Sequence, residues 1–146
     1  MEIRELMTPL EPFLALYADL SRCSPSQLAK VYSDDVEFVD PVSIHHGLDA
    51  INAYFQRLLL HCQSCAFEIR STQINGDTAH VGWTMCFQHR RLRGGKPIEV
   101  EGFSLLLFKS GRISRQQDYY DMGAMIYEHV PVLGPIVSAL RRRLAA

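Results

Sequence analysis

Apolar side chains recur at three- and four-residue steps through Leu6, Leu10, Phe13, Leu14, Tyr17 and Leu20, the spacing that lays one stripe along a helix. Ser24-Pro25-Ser26-Gln27 then supplies a capping-box pattern with proline in the first turn, predicting a short second helix through Leu28, Val31 and Tyr32. Val36 to Val39 is short and β-prone and ends at Asp40-Pro41, because proline has no N–H for a ladder and disfavours helix in the residue before it. Gly47 precedes a third stripe of helical spacing, carried by Leu48, Ile51, Tyr54, Phe55, Leu58 and Leu59.

From Ala66 the period changes from helical to alternating. Asn75-Gly76-Asp77, Gly94-Gly95-Lys96-Pro97 and Ser110-Gly111 divide this alternating region into four antiparallel strands. In the second of these Val81, Trp83, Met85 and Phe87 share one face. The third, Gly102 to Phe108, is apolar at nearly every position, which predicts cover on both faces, with Phe103 and Leu105 in the core beside Trp83, Met85 and Phe87. In the last strand, strict alternation puts Ile113 on one face and Gln116, Asp118 and Tyr120 on the other. Helical spacing returns at Met122 to Glu128, is broken by Pro131, Gly134 and Pro135, and resumes from Ile136 to Leu144. The order predicts an α+β fold in which a curved, mainly antiparallel sheet packs on N-terminal helices.

A chain of 146 residues with no repeat and no linker composition is one domain, spanning 1–146. A net charge of -1 removes the basic footprint of nucleic-acid binding. Four scattered cysteines and an N-terminus without a signal-length apolar run point to the cytoplasm. Cys62-Gln63-Ser64-Cys65 is a CxxC with no second half, and it reads as two small apolar residues at a helix end. No P-loop, GxGxxG or ligand cluster occurs, so neither a metal nor an organic cofactor is expected. The apolar C-terminal segment ending in Arg141-Arg142-Arg143 reads as a docked helix rather than as a membrane contact.

Two segments, Tyr32-Ser33-Asp34-Asp35-Val36-Glu37-Phe38-Val39-Asp40-Pro41-Val42 and Arg115-Gln116-Gln117-Asp118-Tyr119-Tyr120-Asp121, together with the element order, carry a family resemblance. Over about residues 9 to 128 the chain resembles the nuclear transport factor 2-like superfamily, in particular its SnoaL-like polyketide-cyclase branch. The resemblance implies a cone-shaped mixed sheet around one apolar pocket, a homodimer through the outer sheet face where Glu99 and Glu101 lie, and a C-terminal helical extension over 122–146. In the ketosteroid isomerases of this group the acidic residue of the Asp-Pro step is the general base, which Asp40 matches. Their two oxyanion donors fall at Leu16 and about Ser104, so those donors are missing here, with Tyr17 one position away. The Arg-x-Asp pair of limonene epoxide hydrolase is replaced by Gly102-Phe103-Ser104. The cyclases use a last-strand aspartate as acid and base, which Asp118 matches.

The candidate catalytic residues are therefore Asp118 and Asp40. The candidate contacts to a small hydrophobic ligand are Tyr17, Tyr32, Tyr54, Phe55, Trp83, Met85, Phe87, Ser104 and Tyr120. An aspartate facing an apolar pocket loses solvation and titrates nearer neutrality, as proton exchange requires. Asp118 could equally accept hydrogen bonds from Tyr17, Tyr32 or Tyr54 in a structural network. Asp40 could simply cap its turn, with His45 or His46 able to bring an imidazole beside it. Asp121 reads as the N-cap of the closing helix, and Arg90, Arg91 and Arg93 as a solvated hairpin tip. The reading is proton transfer on a carbonyl- or ring-containing molecule; the alternative is a binding module without catalysis.

Overall fold

A computed structural model describes residues 10–146; Leu6, the first residue of the leading stripe, lies outside the described residues. Helix α1 (Leu10–Ala18) buries Leu10, Phe13, Leu16 and Tyr17. Helix α2 (Pro25–Val31) starts at a complete capping box: Gln27 N–H donates to Ser24 Oγ and Ser24 N–H to Gln27 Oε1.

The chain becomes extended directly at Tyr32, so strand β1 (Tyr32–Val39) starts four residues before the expected Val36. Polar Ser33, Asp34 and Asp35 conceal it, because a register shift between Tyr32 and Glu37 interrupts the alternation there. Strand β2 (Ile44–His46) folds back on β1 and is too short to show a period. Helix α3 (Leu48–Leu59) buries Ile51, Tyr54 and Phe55.

Strands β3 (Cys62–Asn75), β4 (Thr78–His89), β5 (Ile98–Lys109) and β6 (Arg112–Tyr120) come next as the antiparallel meander. Cys62 and Cys65 are on β3, opposite His89 and Phe87, and not at a helix end as expected. The six strands lie in the order β2-β1-β6-β5-β4-β3, with only the β1–β6 pair parallel. Val81, Trp83, Met85 and Phe87 of β4 are all buried on the inner face, as their alternation predicts.

Two expectations for the sheet are corrected. Ile113 shares the buried face with Gln116 and Asp118, because Ser114 is an extra residue in β6: Leu107 faces Arg115 while Phe108 faces Ile113. On β5 only alternate residues such as Ser104 and Leu106 are buried, whereas Phe103 and Leu107 are 38% and 41% exposed on the outer face, which no other described element covers within the chain.

Asp121 caps helix α4 (Met122–Met125), its Oδ1 accepting from Gly123 N–H at 2.8 Å. The helix is one turn long, shorter than the expected run to Glu128, and gives way to a 3-10 turn over Tyr127–His129. Helix α5 (Leu133–Ala145) starts before Pro135, since proline is tolerated in a first helical turn. Arg141 ties α5 back, bonding Asp121 at 2.9 Å and Glu128 at 2.6 Å. No helix among the described residues is long and apolar enough to cross a membrane.

Candidate functional site

Between the concave face of the sheet and the helices lies a cavity of about 220 Å³ with mainly apolar walls. Of the residues expected to touch ligand, Tyr17, Phe55, Trp83, Met85, Phe87 and Tyr120 line it, together with both aspartates. Tyr32, Tyr54 and Ser104 do not; each stands behind a lining residue and hydrogen-bonds to it. Phe103 and Leu105 are also absent from the wall, because their positions on β5 point away from the inner face.

Trp83 is seated by a glycine. Gly102 pairs with it across β4–β5, and a Cβ at Gly102 would lie 2.2 Å from Trp83 Cη2. The indole thus packs over β5 with its Nε1–H donating to Ser104 Oγ at 2.9 Å. Ser104 is thereby left with its own proton to give, and it donates to Asp118 Oδ1 at 2.6 Å. Gln116 Nε2 donates to the same Oδ1 at 2.9 Å.

Behind Gln116 the donors close a ring. Tyr32 donates its hydroxyl proton to Gln116 Oε1 at 2.6 Å, and Gln116 Nε2 donates its second proton to the Tyr17 hydroxyl at 3.1 Å. Tyr17 and Tyr32 are 2.8 Å apart through their hydroxyls. Since the Tyr32 proton is already directed at Gln116, Tyr17 must donate to Tyr32. Tyr17 therefore touches the cavity with its ring and has no proton left to offer a ligand. The expected direct tyrosine bonds to Asp118 are replaced by Gln116, a residue whose spacing marked its face but not its role.

Asp118 is 8% exposed, accepts two hydrogen bonds at Oδ1 and receives none at Oδ2 from the described residues. Burial pushes its carboxyl up to about 7, opposed by the Ser104 and Gln116 hydrogen bonds and assisted by Asp40. When Asp118 holds a proton, that proton belongs on Oδ2, because Oδ1 is occupied by two donors. Tyr120, two residues along the same face, also lines the cavity, and its hydroxyl has no protein partner among the described residues. Burial, Asp40 and Asp118 together raise the Tyr120 hydroxyl above its ordinary range, keeping it a donor.

Asp40 caps its turn and also reaches the cavity. Its Oδ1 caps the turn by accepting from Val42 N–H at 2.8 Å and Ser43 N–H at 3.0 Å. Its Oδ2 accepts from Tyr54, and the side chain still lines the cavity. His45 does not reach it: the imidazole stacks on Tyr54 at 4.0 Å between ring centroids and bonds Ser43 Oγ at 2.6 Å through Nε2. Neither His45 nor His46 lines the cavity. Among the described residues no three His, Cys, Asp or Glu side chains are grouped as they would be around a metal ion.

The far wall was not legible in the sequence. Leu20, Arg57, Leu58, Leu59, Cys62 and Cys65 line it, with Phe67, His89, Leu92, Met125 and Ile126. Most are ordinary core-type residues, and only their convergence in space marks them.

A SnoaL-like domain model matches residues 13–116, more than half of the chain. The chain belongs to the SnoaL-like domain family. The match stops two residues before Asp118, so the family places the fold rather than this carboxylate. No curated protein sequence is significantly similar to the chain. Solved SnoaL-like and nuclear transport factor 2-like structures share its fold. One is a protein with a ketosteroid isomerase-like fold from Catenulispora acidiphila in complex with trimethylamine, 17% identical, with a TM-score of 0.71 over 83% of this chain and 90% of that one. Another is a nuclear transport factor 2-like protein of unknown function from Burkholderia pseudomallei, 16% identical, with a TM-score of 0.72 over 84% of this chain and 95% of that one. A third is TerC co-crystallised with polyporic acid, 18% identical, with a TM-score of 0.70 over 81% of this chain and 95% of that one.

Proposed function

We propose that this SnoaL-like protein binds a small hydrophobic carbonyl- or ring-containing molecule and catalyses proton transfer on it, with Asp118 as acid/base and Asp40 as the second carboxylate. The observation that carries the reading is the divided surroundings of Asp118: Oδ1 is held by Ser104 and Gln116, while Oδ2 has no partner among the described residues and the side chain lines the cavity. A carboxyl held near neutrality can give a proton and take it back at cellular pH.

The chemistry is an allylic or keto–enol shift. Asp40 removes a proton from the carbon beside a carbonyl, and the electron pair moves onto the carbonyl oxygen. The developing oxyanion accepts from Asp118 Oδ2–H and the Tyr120 hydroxyl, two donors on one strand face in a cavity with mainly apolar walls. Returning the proton to a different carbon completes the isomerisation; alternatively, the enolate carbon attacks a second carbonyl of the same molecule, whose oxygen takes the proton held by Asp40, and a cyclisation results. The residues supply every proton moved, so the reaction needs no redox partner. The four cysteines are unpaired, which supports a reducing cytoplasmic setting.

The test is deuterium uptake into small cyclic and aromatic ketones in D2O, monitored by NMR. Wild type should exceed the buffer rate, and Asp118→Asn should lose at least about 100-fold of that acceleration. One feature favours a binding module instead: the Tyr17 hydroxyl, the most obvious oxyanion donor, is consumed in the Tyr17–Tyr32–Gln116 ring. If ketones quench Trp83 fluorescence but exchange no faster than in buffer, the binding module is the correct reading.

A further inference from the structure

The two ends of the cavity have opposite polarity. At the inner end stand Asp118 and Asp40, and among the described residues no arginine or lysine pairs with either. The other end is formed by the last turn of α3, the start of β3 and the end of β4, and it contains Arg57, His89 and Leu92. His89 lies six residues along β4 from Trp83, which is about 20 Å of strand.

Arg57 is exposed and lines the cavity, yet its guanidinium has neither a carboxylate nor a hydrogen-bond partner among the described residues. Arg22, Arg70, Arg112, Arg115 and Arg141 all have carboxylate partners. His89 Nδ1 accepts from Arg91 N–H at 3.1 Å, which leaves its ring proton on Nε2 as a donor. The hairpin that carries Leu92 to the rim reads Arg90-Arg91-Leu92-Arg93-Gly94-Gly95-Lys96, four cations without an acid, in a chain whose net charge is -1. That rim is rich in donors and cations, and its field attracts negative charge.

We infer that the ligand is an amphiphile: an apolar body that fills the cavity, carrying one anionic group that Arg57 holds at the rim under the basic hairpin. This rests on the cavity being the ligand site and narrows the substrate class to hydrophobic acids. A single anion answers the unpaired guanidinium through charge-assisted hydrogen bonds, with Arg90, Arg91 and Arg93 acting at longer range. The reacting carbonyl then sits toward Asp118, away from the anion, so the acidic group serves binding and register rather than chemistry.

Two dyes with the same apolar skeleton test this: 1-anilinonaphthalene-8-sulfonate, which carries a sulfonate, and N-phenyl-1-naphthylamine, which does not. Wild type should bind the sulfonate at least about tenfold more tightly, a difference near 1.4 kcal/mol. Arg57→Gln should abolish that preference while changing N-phenyl-1-naphthylamine binding by less than about twofold. Arg142→Gln, on the exposed C-terminal helix, should keep it. Equal binding of the two dyes to wild type, or a preference that survives Arg57→Gln, overturns the inference and leaves the pocket standing. Failure of both dyes to bind overturns the pocket reading and this inference together.

Discussion

Ser104 and Asp118 face each other across β5 and β6, and the serine hydroxyl donates to Asp118 Oδ1 at 2.6 Å while accepting from Trp83 Nε1–H at 2.9 Å. One proton direction thus runs from Trp83 through Ser104 to the carboxyl. Ser104→Ala removes a donor that holds the Asp118 carboxyl down, so its midpoint should rise above about 7. The same change strands a buried indole N–H and should cost about 1–3 kcal/mol. Carbonyl infrared or carboxyl NMR titration, paired with urea denaturation, measures both effects. An unchanged midpoint would show that the Ser104 bond does not govern Asp118.

Trp83 is the only tryptophan of the chain and lines the cavity, so its fluorescence reports on that space alone. Gly102→Ala should displace it, because the added methyl would lie 2.2 Å from Cη2. The expected cost is about 1–3 kcal/mol, the range for overpacking a filled site. The emission maximum should shift as the indole moves. Wild-type emission together with wild-type stability would mean that the β4–β5 contact is looser than the geometry requires.

Phe103 and Tyr119 pair across β5 and β6 on the outer face, 38% and 51% exposed, with Leu107 at 41% on the same face of β5. Three large apolar side chains clustered on an otherwise uncovered sheet form a patch that a second copy would bury. A homodimer through this face is the prediction. Sedimentation should give twice the mass of one chain at micromolar concentration, and Phe103→Glu should halve it with the fold intact. A wild-type monomer at that concentration refutes the dimer.

How much of the molecule was legible depended on whether a residue's neighbours were close in sequence. The stripes of α1 and α3 and the alternation of β4 arise from local periods, and they gave the helices, the strands and the inward Trp83, Met85 and Phe87 without any structure. The face of Asp118 was read correctly for an incomplete reason: alternation links it to Gln116 and Tyr120, but the extra residue Ser114 also brings Ile113 to that face. Its hydrogen-bond partners were not legible, because Ser104 and Tyr32 are 14 and 84 residues from Asp118 and Gln116 respectively, and nothing local pairs them. Arg57 was hidden for a similar reason. On a helix wheel it is one more charged residue beside an apolar stripe, and only the fold shows that it lines the cavity.

Asp118 also ties stability to pH. In the unfolded chain it titrates at its ordinary value of 3.8, and in the fold it is held up to about 7. Between those values the folded protein keeps a proton that the unfolded chain has released. Stability must therefore fall as pH rises through this window, since its slope tracks the protons bound in the unfolded state minus those bound in the folded state. A shift of about three units corresponds to at most about 4 kcal/mol, lost by pH 8 and fully regained below pH 4 as far as this group is concerned. Asp118→Asn cannot ionise, yet its Oδ1 can still accept from Ser104 and Gln116. Its stability relative to wild type should thus rise with pH between about 4 and 7 and level off above, while the other titrating groups cancel in the comparison. Urea denaturation of both proteins at pH 5, 6, 7 and 8 gives the difference directly. A difference that stays flat across that range would place the folded Asp118 midpoint below it, and the carboxyl could then not act as both acid and base at neutral pH.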